Sequence, residues 1–178
     1  MLIEYKGQRP QIAANAYIAP NATIIGDVTL GDSGSIWFGA VIRGDSGAIR
    51  LGDGVNVQDN VVIHVNNRHD TVVEDDVTIG HAAVLEGCHI GRGTLIGMNA
   101  TILDGVIVGR GCIIAAGSVV REGTEIPDGM LVAGVPAKIK GAVSSAMIRR
   151  MEHAPQAYRK YGQTYRTASV VIDDTPDA

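Results

Sequence analysis

Aromatic residues are scarce: one Trp, one Phe and five Tyr in 178 residues. Too few are present to fill an ordinary globular core, yet 46% of the chain is hydrophobic, almost all of it small or aliphatic. That mix suits a narrow, repetitive interior. Cysteine is rarer still at 2 residues. Cys88 and Cys112 are spaced neither as a metal-binding pair nor as a disulfide framework, and both read as core residues. There is no excess of positive charge: 15 Lys and Arg stand against 19 Asp and Glu, a net charge of −4. Nucleic-acid binding by overall charge is therefore not expected. No apolar run could span a bilayer, and the opening MLIEYKGQRP lacks the apolar centre of a signal peptide. No membrane partner and a cytoplasmic location are the expectation.

What the chain does have is glycine, 23 residues of it, and a repeat. An aliphatic residue recurs at every sixth position: Ile12, Ile18, Ile24, Leu30, Ile36 and Ile42; then Leu51, Val57 and Ile63; then Val73, Ile79 and Leu85; then Ile90 through Ile96, Ile102, Val108, Ile114, Val120 and Ile126, with Val132 last. Two positions earlier sits a second, usually small residue, as at Cys88, Thr94, Ala100, Cys112 and Ser118. Each hexapeptide makes a short strand and a turn, the aliphatic residue pointing inward, with Gly, Asn and Asp supplying the turn conformations. Three units close a triangular coil of roughly 18 residues, and coils stack about 4.8 Å apart. One coil cannot bury its own face, so the core exists only by stacking.

The expected architecture is an all-β solenoid of about six coils over 12–138, after a lead-in at 1–11. Gly134-Val135-Pro136-Ala137-Lys138 ends the repeat, with Pro136 stopping regular structure. Ser144 is placed to cap a helix over 144–166, in which Met147, Met151, Ala154, Tyr158, Tyr161 and Tyr165 share one face. Pro155 is expected to kink or split it. The basic residues here, among them Lys138, Lys140, Arg149, Arg159 and Arg166, read as a solvated face. The acidic tail, 167–178, reads as disordered.

Three breaks interrupt the phase. Arg43 to Ala48 adds three residues, His64 to Asp70 adds four, and one is missing between Leu85 and Ile90. Rotating the aliphatic positions through three faces puts Ile24, Ile42, Ile63 and Leu85 on one face in successive coils. The residues after them then form a column: Ile25, Arg43, His64, Glu86. On the preceding face Val57 and Ile79 lead into Asp59 and His81, which stack near a neighbouring corner. His64 and Glu86 are thus expected side by side, with His81 meeting them within one chain or from the next. A lone histidine in such a solenoid is ordinarily a surface or turn residue. Two histidines and a carboxylate, however, are a zinc ligand set that leaves a position open for water.

These segments resemble the γ-class carbonic anhydrase family. The resemblance is carried by Gly26-Asp27-Val28, by Ser35-Ile36-Trp37-Phe38-Gly39-Ala40-Val41-Ile42-Arg43-Gly44-Asp45, by Asn56-Val57-Gln58-Asp59-Asn60, by His64, by Ile79-Gly80-His81, by Gly87-Cys88 and by Ile96-Gly97-Met98-Asn99-Ala100. It spans roughly residues 10 to 140. It implies a left-handed β-helix, a homotrimer, and a metal site at each subunit interface, where a metal hydroxide attacks carbon dioxide to give bicarbonate. His64 would ligate from one chain and His81 from its neighbour. Gln58 would hydrogen-bond the reacting oxygen, Tyr158 or Tyr161 would approach the site, and Arg43, Asp45 and Asp59 would make ionic contacts at the interface. Zinc is the first expectation, with iron or cobalt also suited.

The family segment G-H-x-A-x-L-H-G-C reads Gly80-His81-Ala82-Ala83-Val84-Leu85-Glu86-Gly87-Cys88 here, so Glu86 stands where a third His is usual. Glu86 could ligate directly, point away and leave a degenerate site, or be compensated by His89 or His69. His69 could instead shuttle protons. The family prototype's long acidic loop is absent. Two other functions stay open: a hexapeptide acyltransferase using coenzyme A, and a non-catalytic trimeric metal-binding scaffold.

Overall fold

A computed structural model describes residues 1–168, with Arg150 and Glu152 described by backbone alone. The acidic tail expected to be disordered falls outside the described residues, apart from Thr167 and Ala168 at the helix end.

The period of six becomes a left-handed parallel β-helix. Successive coils pair in register, so like residues stack on like. Ile24 pairs with Ile42, Ile42 with Ile63, Ile63 with Leu85, and Leu85 with Ile102. All five side chains are fully buried. Each contributes roughly 1.5–3 kcal/mol by leaving water. The small partners two positions earlier, Ala22, Ala40, Val61, Ala83 and Ala100, are buried as well. They let the chain bend and hand a carbonyl to the next coil: Val41 N–H donates to Val61 O at 2.9 Å, and Val62 N–H to Ala83 O at 3.0 Å. Cys88 and Cys112 sit in two of these small positions, buried and unpaired. Burial pushes the Cys88 thiol up to about 12, so it is held as an inert thiol.

One face stacks seven parallel strands, from Tyr17–Ile18 to Met130–Gly134. That is one coil more than the repeat count predicts. The lead-in also joins the solenoid, since Leu2–Ile3 pairs with Ile24 and Ile25. At the far end the chain does not stop at Pro136. It reverses into Ala137–Ala142, antiparallel to Met130–Gly134. This strand satisfies backbone groups that the last coil would otherwise leave exposed, a need that the period of six does not reveal.

The helix Ser145–Ala168 runs unbroken, with Pro155 inside it, and Ser144 Oγ accepts the Met147 N–H at 3.4 Å. Six of the chain's seven aromatic residues gather where it docks: Tyr17, Trp37 and Phe38 from the first coils, and Tyr158, Tyr161 and Tyr165 from the helix. Trp37 lies 5.3 Å from both Tyr158 and Tyr165, edge-on to each. Arg159 adds an ion pair to Asp76 across the same junction.

The first phase break is built as one long strand, Val41–Leu51, which turns a corner without leaving the ladder. It pairs with Thr23–Leu30, with a register shift between Gly26 and Val28. Gly26 has φ +75, and a methyl there would press into the Gly44 carbonyl. Gly26→Ala is therefore expected to lower stability by more than about 2 kcal/mol, read as a reduced denaturant midpoint. At another corner, Glu74 sits below the usual glutamate range, chiefly through its hydrogen bond with His89 and then through the Arg92 N–H at 2.9 Å. A depressed carboxyl adds stability above its unfolded value and loses it as pH falls. Stability should thus decline from about pH 4.3 downward. Glu74→Gln should flatten that decline in acid denaturation followed by circular dichroism.

Candidate metal centre

The pairing register sets the first half of the site. His64 and Glu86 end two neighbouring strands and Arg43 lies within the long strand Val41–Leu51; the three pair in sequence, Arg43 with His64 and His64 with Glu86. His64 Nδ1 lies 3.5 Å from Glu86 Oε1. Its other nitrogen, Nε2, is 3.1 Å from Asp45 Oδ1. Asp45 comes from the corner-turning strand and is also bound by Arg43 and by the Ser46 hydroxyl. Partial burial pushes the Asp45 carboxyl up, but the hydrogen bonds from Arg43 and His64 outweigh it and hold the carboxyl below its usual range. An ionised Asp45 can only accept a hydrogen bond, so it is a partner for an Nε2–H, while Nδ1 faces the second carboxylate, Glu86.

The second half lies at the corner before this face. His81 Nδ1 is 2.7 Å from Asp59 Oδ2, and Asp59 Oδ1 accepts the Phe38 N–H at 3.1 Å. Here too a carboxylate takes one ring nitrogen, and the other, Nε2, makes no hydrogen bond among the described residues. The His81 main-chain N–H donates to Gln58 Oε1 at 3.2 Å. Gln58 Nε2 donates in turn to Asn56 Oδ1 at 3.2 Å, and Asn56 Nδ2 to Thr78 Oγ1 at 2.8 Å. This buried chain fixes Gln58 beside His81. Both open onto a cleft of about 530 Å³ shared with Met98 and Tyr158. The Tyr158 phenol is pushed up by burial and then by the charge of Asp59, so it stays neutral.

Stacking thus brings His64, Glu86 and Asp45 together, and separately His81, Asp59, Gln58 and Tyr158. The two groups are not joined within one chain. Among the described residues no cluster of three or more His, Cys, Asp or Glu could hold a metal ion. The donors of the first half nonetheless fit one. With zinc bonds of roughly 2.0–2.1 Å in tetrahedral geometry, neighbouring donor atoms stand about 3.3 Å apart. His64 Nδ1 and Glu86 Oε1 are close to that spacing. Arg43, Asp45 and Asp59, expected as contacts across an interface, here bind groups of their own chain. His89 is engaged elsewhere, with Nε2 on Glu74 at 3.0 Å. His69 pairs with Asp104 at 3.0 Å.

Two contributors escaped the sequence reading. Thr71 is fully buried; its hydroxyl donates to the His64 carbonyl at 2.7 Å and accepts the Gly87 N–H at 2.9 Å, tying the ends of the two site strands. The signal for it was its place two residues before Val73, a small-residue position. Asp104 anchors the loop after His64, and it is found only by stacking Ile102 onto Leu85.

Among the described residues, no helix is long and apolar enough to cross a membrane. Residues 87–122 match the bacterial transferase hexapeptide family. A carbonic anhydrase of Geobacillus kaustophilus is 44% identical over 166 residues, 93% of this chain and 91% of that one. Gamma carbonic anhydrase 1, mitochondrial, of Arabidopsis thaliana is 46% identical over 98 residues, 52% of this chain and 36% of its own length. The crystal structure of a hexapeptide transferase family protein from Anaplasma phagocytophilum has a TM-score of 0.89 at 38% identity, covering 92% of this chain and 97% of that one. The hexapeptide repeat and the near-full-length likeness agree: this chain belongs to the γ-class carbonic anhydrase-like family of hexapeptide-repeat proteins.

Proposed function

We propose that the protein is a metal-dependent carbonic anhydrase that hydrates carbon dioxide to bicarbonate as a homotrimer, each site divided between two subunits. His64 and Glu86 hold the ion from one chain, and His81 holds it from the next. The observation that carries this reading is the pairing of each histidine with a carboxylate: His64 Nε2 lies 3.1 Å from Asp45 and His81 Nδ1 2.7 Å from Asp59, while the second nitrogen of His64 faces Glu86 at 3.5 Å.

The half-sites lie at two corners of one face, and that face presents Val62 and Val84 outward, each about 40% exposed. Bare β-branched residues between two incomplete ligand sets support a subunit seam there. A divalent ion, with zinc proposed, supplies the Lewis acid that lets water ionise near neutral pH. The chain supplies the rest. Asp45 and Asp59 orient the imidazoles. Gln58 has spent one amide N–H on Asn56 and keeps the other for a substrate oxygen. Neutral Tyr158 and apolar Met98 line the cleft and suit an uncharged substrate.

Glu86 is the departure from the usual three histidines. A carboxylate donor brings more negative charge to the ion than an imidazole and weakens its acidifying effect on water. Activity is therefore expected to rise at a higher pH than in a three-histidine site. Glu86→His should shift the pH profile of kcat/KM downward and raise hydration activity at pH 7, measured by stopped flow. His64→Ala and His81→Ala should each lose both activity and the single ion per chain expected from mass spectrometry. Metal-free protein that binds coenzyme A in calorimetry would instead favour an acyltransferase, and metal-free protein with neither property a scaffold.

Asp59 offers a separate test. Asp59→Asn keeps the shape but removes the charge that selects the His81 tautomer. Its metal affinity is expected to fall roughly 10- to 100-fold, read by competition with a chelator.

A further inference from the structure

The phase break after His64 leaves a loop, Val65 to Asp70, that takes no part in the ladder. Its geometry is nonetheless fixed. Asn66 Oδ1 accepts the backbone N–H groups of Arg68 at 2.9 Å and His69 at 3.1 Å. Asn66 Nδ2 donates to Asp104 Oδ1 at 2.6 Å. Asp104 also binds Arg68 at 3.0 Å through Oδ2 and His69 Nδ1 at 3.0 Å through Oδ1. The loop is closed by Asp70, whose carboxylate accepts the Ala48 N–H at 2.8 Å. Burial pushes the Asp104 carboxyl up, but the hydrogen bonds from Asn66 and His69 and the Arg68 charge outweigh it, so it stays ionised.

An ionised carboxylate on Nδ1 sets the His69 tautomer and supports an imidazolium when one forms. Nε2 makes no hydrogen bond among the described residues, and the side chain is half exposed at 51%. This histidine–aspartate pair also adjoins the site. A methyl on Gly87 would press into the Asp104 carboxylate, so the acid rests against the residue after Glu86. Asn66, its other anchor, is two residues from His64. His69 therefore stands about two coil spacings, on the order of 10 Å, from the His64–Glu86 pair. Two or three waters, linked by hydrogen bonds of about 2.8 Å, can bridge that reach.

We propose that His69, oriented by Asp104, is the proton-transfer residue of the site. The inference rests on the hydration reading above. Each turnover forms a C–O bond between water and carbon dioxide, breaks one O–H bond, and releases one proton. That proton passes through solvent to His69 Nε2, giving an imidazolium paired with Asp104, and leaves from Nε2 to buffer. Net, carbon dioxide and water become bicarbonate and a proton, and His69 is restored. The pair requires no bulk base at the site itself.

The test separates proton transfer from chemistry. In His69→Ala and His69→Gln, kcat at low buffer should fall roughly 10-fold or more, while kcat/KM, measured by isotope exchange at chemical equilibrium, stays within about 2-fold. Added imidazole should restore kcat of His69→Ala. Independently of activity, ¹⁵N spectra of the imidazole rings should show His69 protonated on Nδ1, a preference lost in Asp104→Asn. Unchanged kcat in both variants at every buffer concentration would overturn the proposal and leave the hydration reading standing. An equal fall in kcat and kcat/KM would assign His69 a structural role and also overturn it. Wild-type protein with a bound metal and no hydration activity would sink the hydration reading, and this proposal with it.

Discussion

Every feature of this molecule depends on the parallel backbone ladder between coils. It repeats at one coil spacing, and its hydrogen bonds are uniform, mostly 2.8–3.0 Å. Because the coils pair in register, a residue's neighbour in space is set by its place in the coil. Isoleucine stacks on isoleucine inside, and one residue further along each strand the same rule stacks Arg43, His64 and Glu86. The candidate site residues need no special fold element. They occupy the position after the inward aliphatic residue, where a regular coil carries turn residues.

Regularity alone builds no site, however, and the phase breaks supply what it lacks. The long strand Val41–Leu51 carries Asp45 around a corner to reach His64 Nε2. The loop after His64 carries Asn66 and His69 to Asp104. Thr71 repairs the ladder where that loop leaves it, bonding the His64 carbonyl and the Gly87 amide. Where the loop leaves the ladder, the side chains of Asn66, Asp70 and Thr71 take over backbone groups.

Three of the chain's histidines lie with a carboxylate on one nitrogen at a corner near the candidate centre: His64 with Asp45, His81 with Asp59, and His69 with Asp104. Shared chemistry serves different ends. On the proposed reading, the pairing orients His64 and His81 as metal ligands and His69 as a group that gains and loses a proton. The placement of Glu86 on the free nitrogen of His64, at a spacing suited to one ion, gives this departure from the usual third histidine a direct structural role.

Much of this was legible in the linear chain. The period of six determined the solenoid, the inward residues and the two cysteine positions, because side-chain direction repeats strictly with the coil. It also determined the columns that set His64 beside Glu86 and His81 beside Asp59. The tertiary structure decided the rest. The reversal into Ala137–Ala142 answers the open end of a stack, which no single hexapeptide experiences. The unbroken helix through Pro155 is held by six aromatics drawn from two distant segments. Which nitrogen of each histidine is engaged, and the part of Asp104, depend on side chains meeting from different coils at distances of about 3 Å. A periodic pattern specifies which residues are neighbours; the orientation of their polar atoms is settled only where the coils are closed.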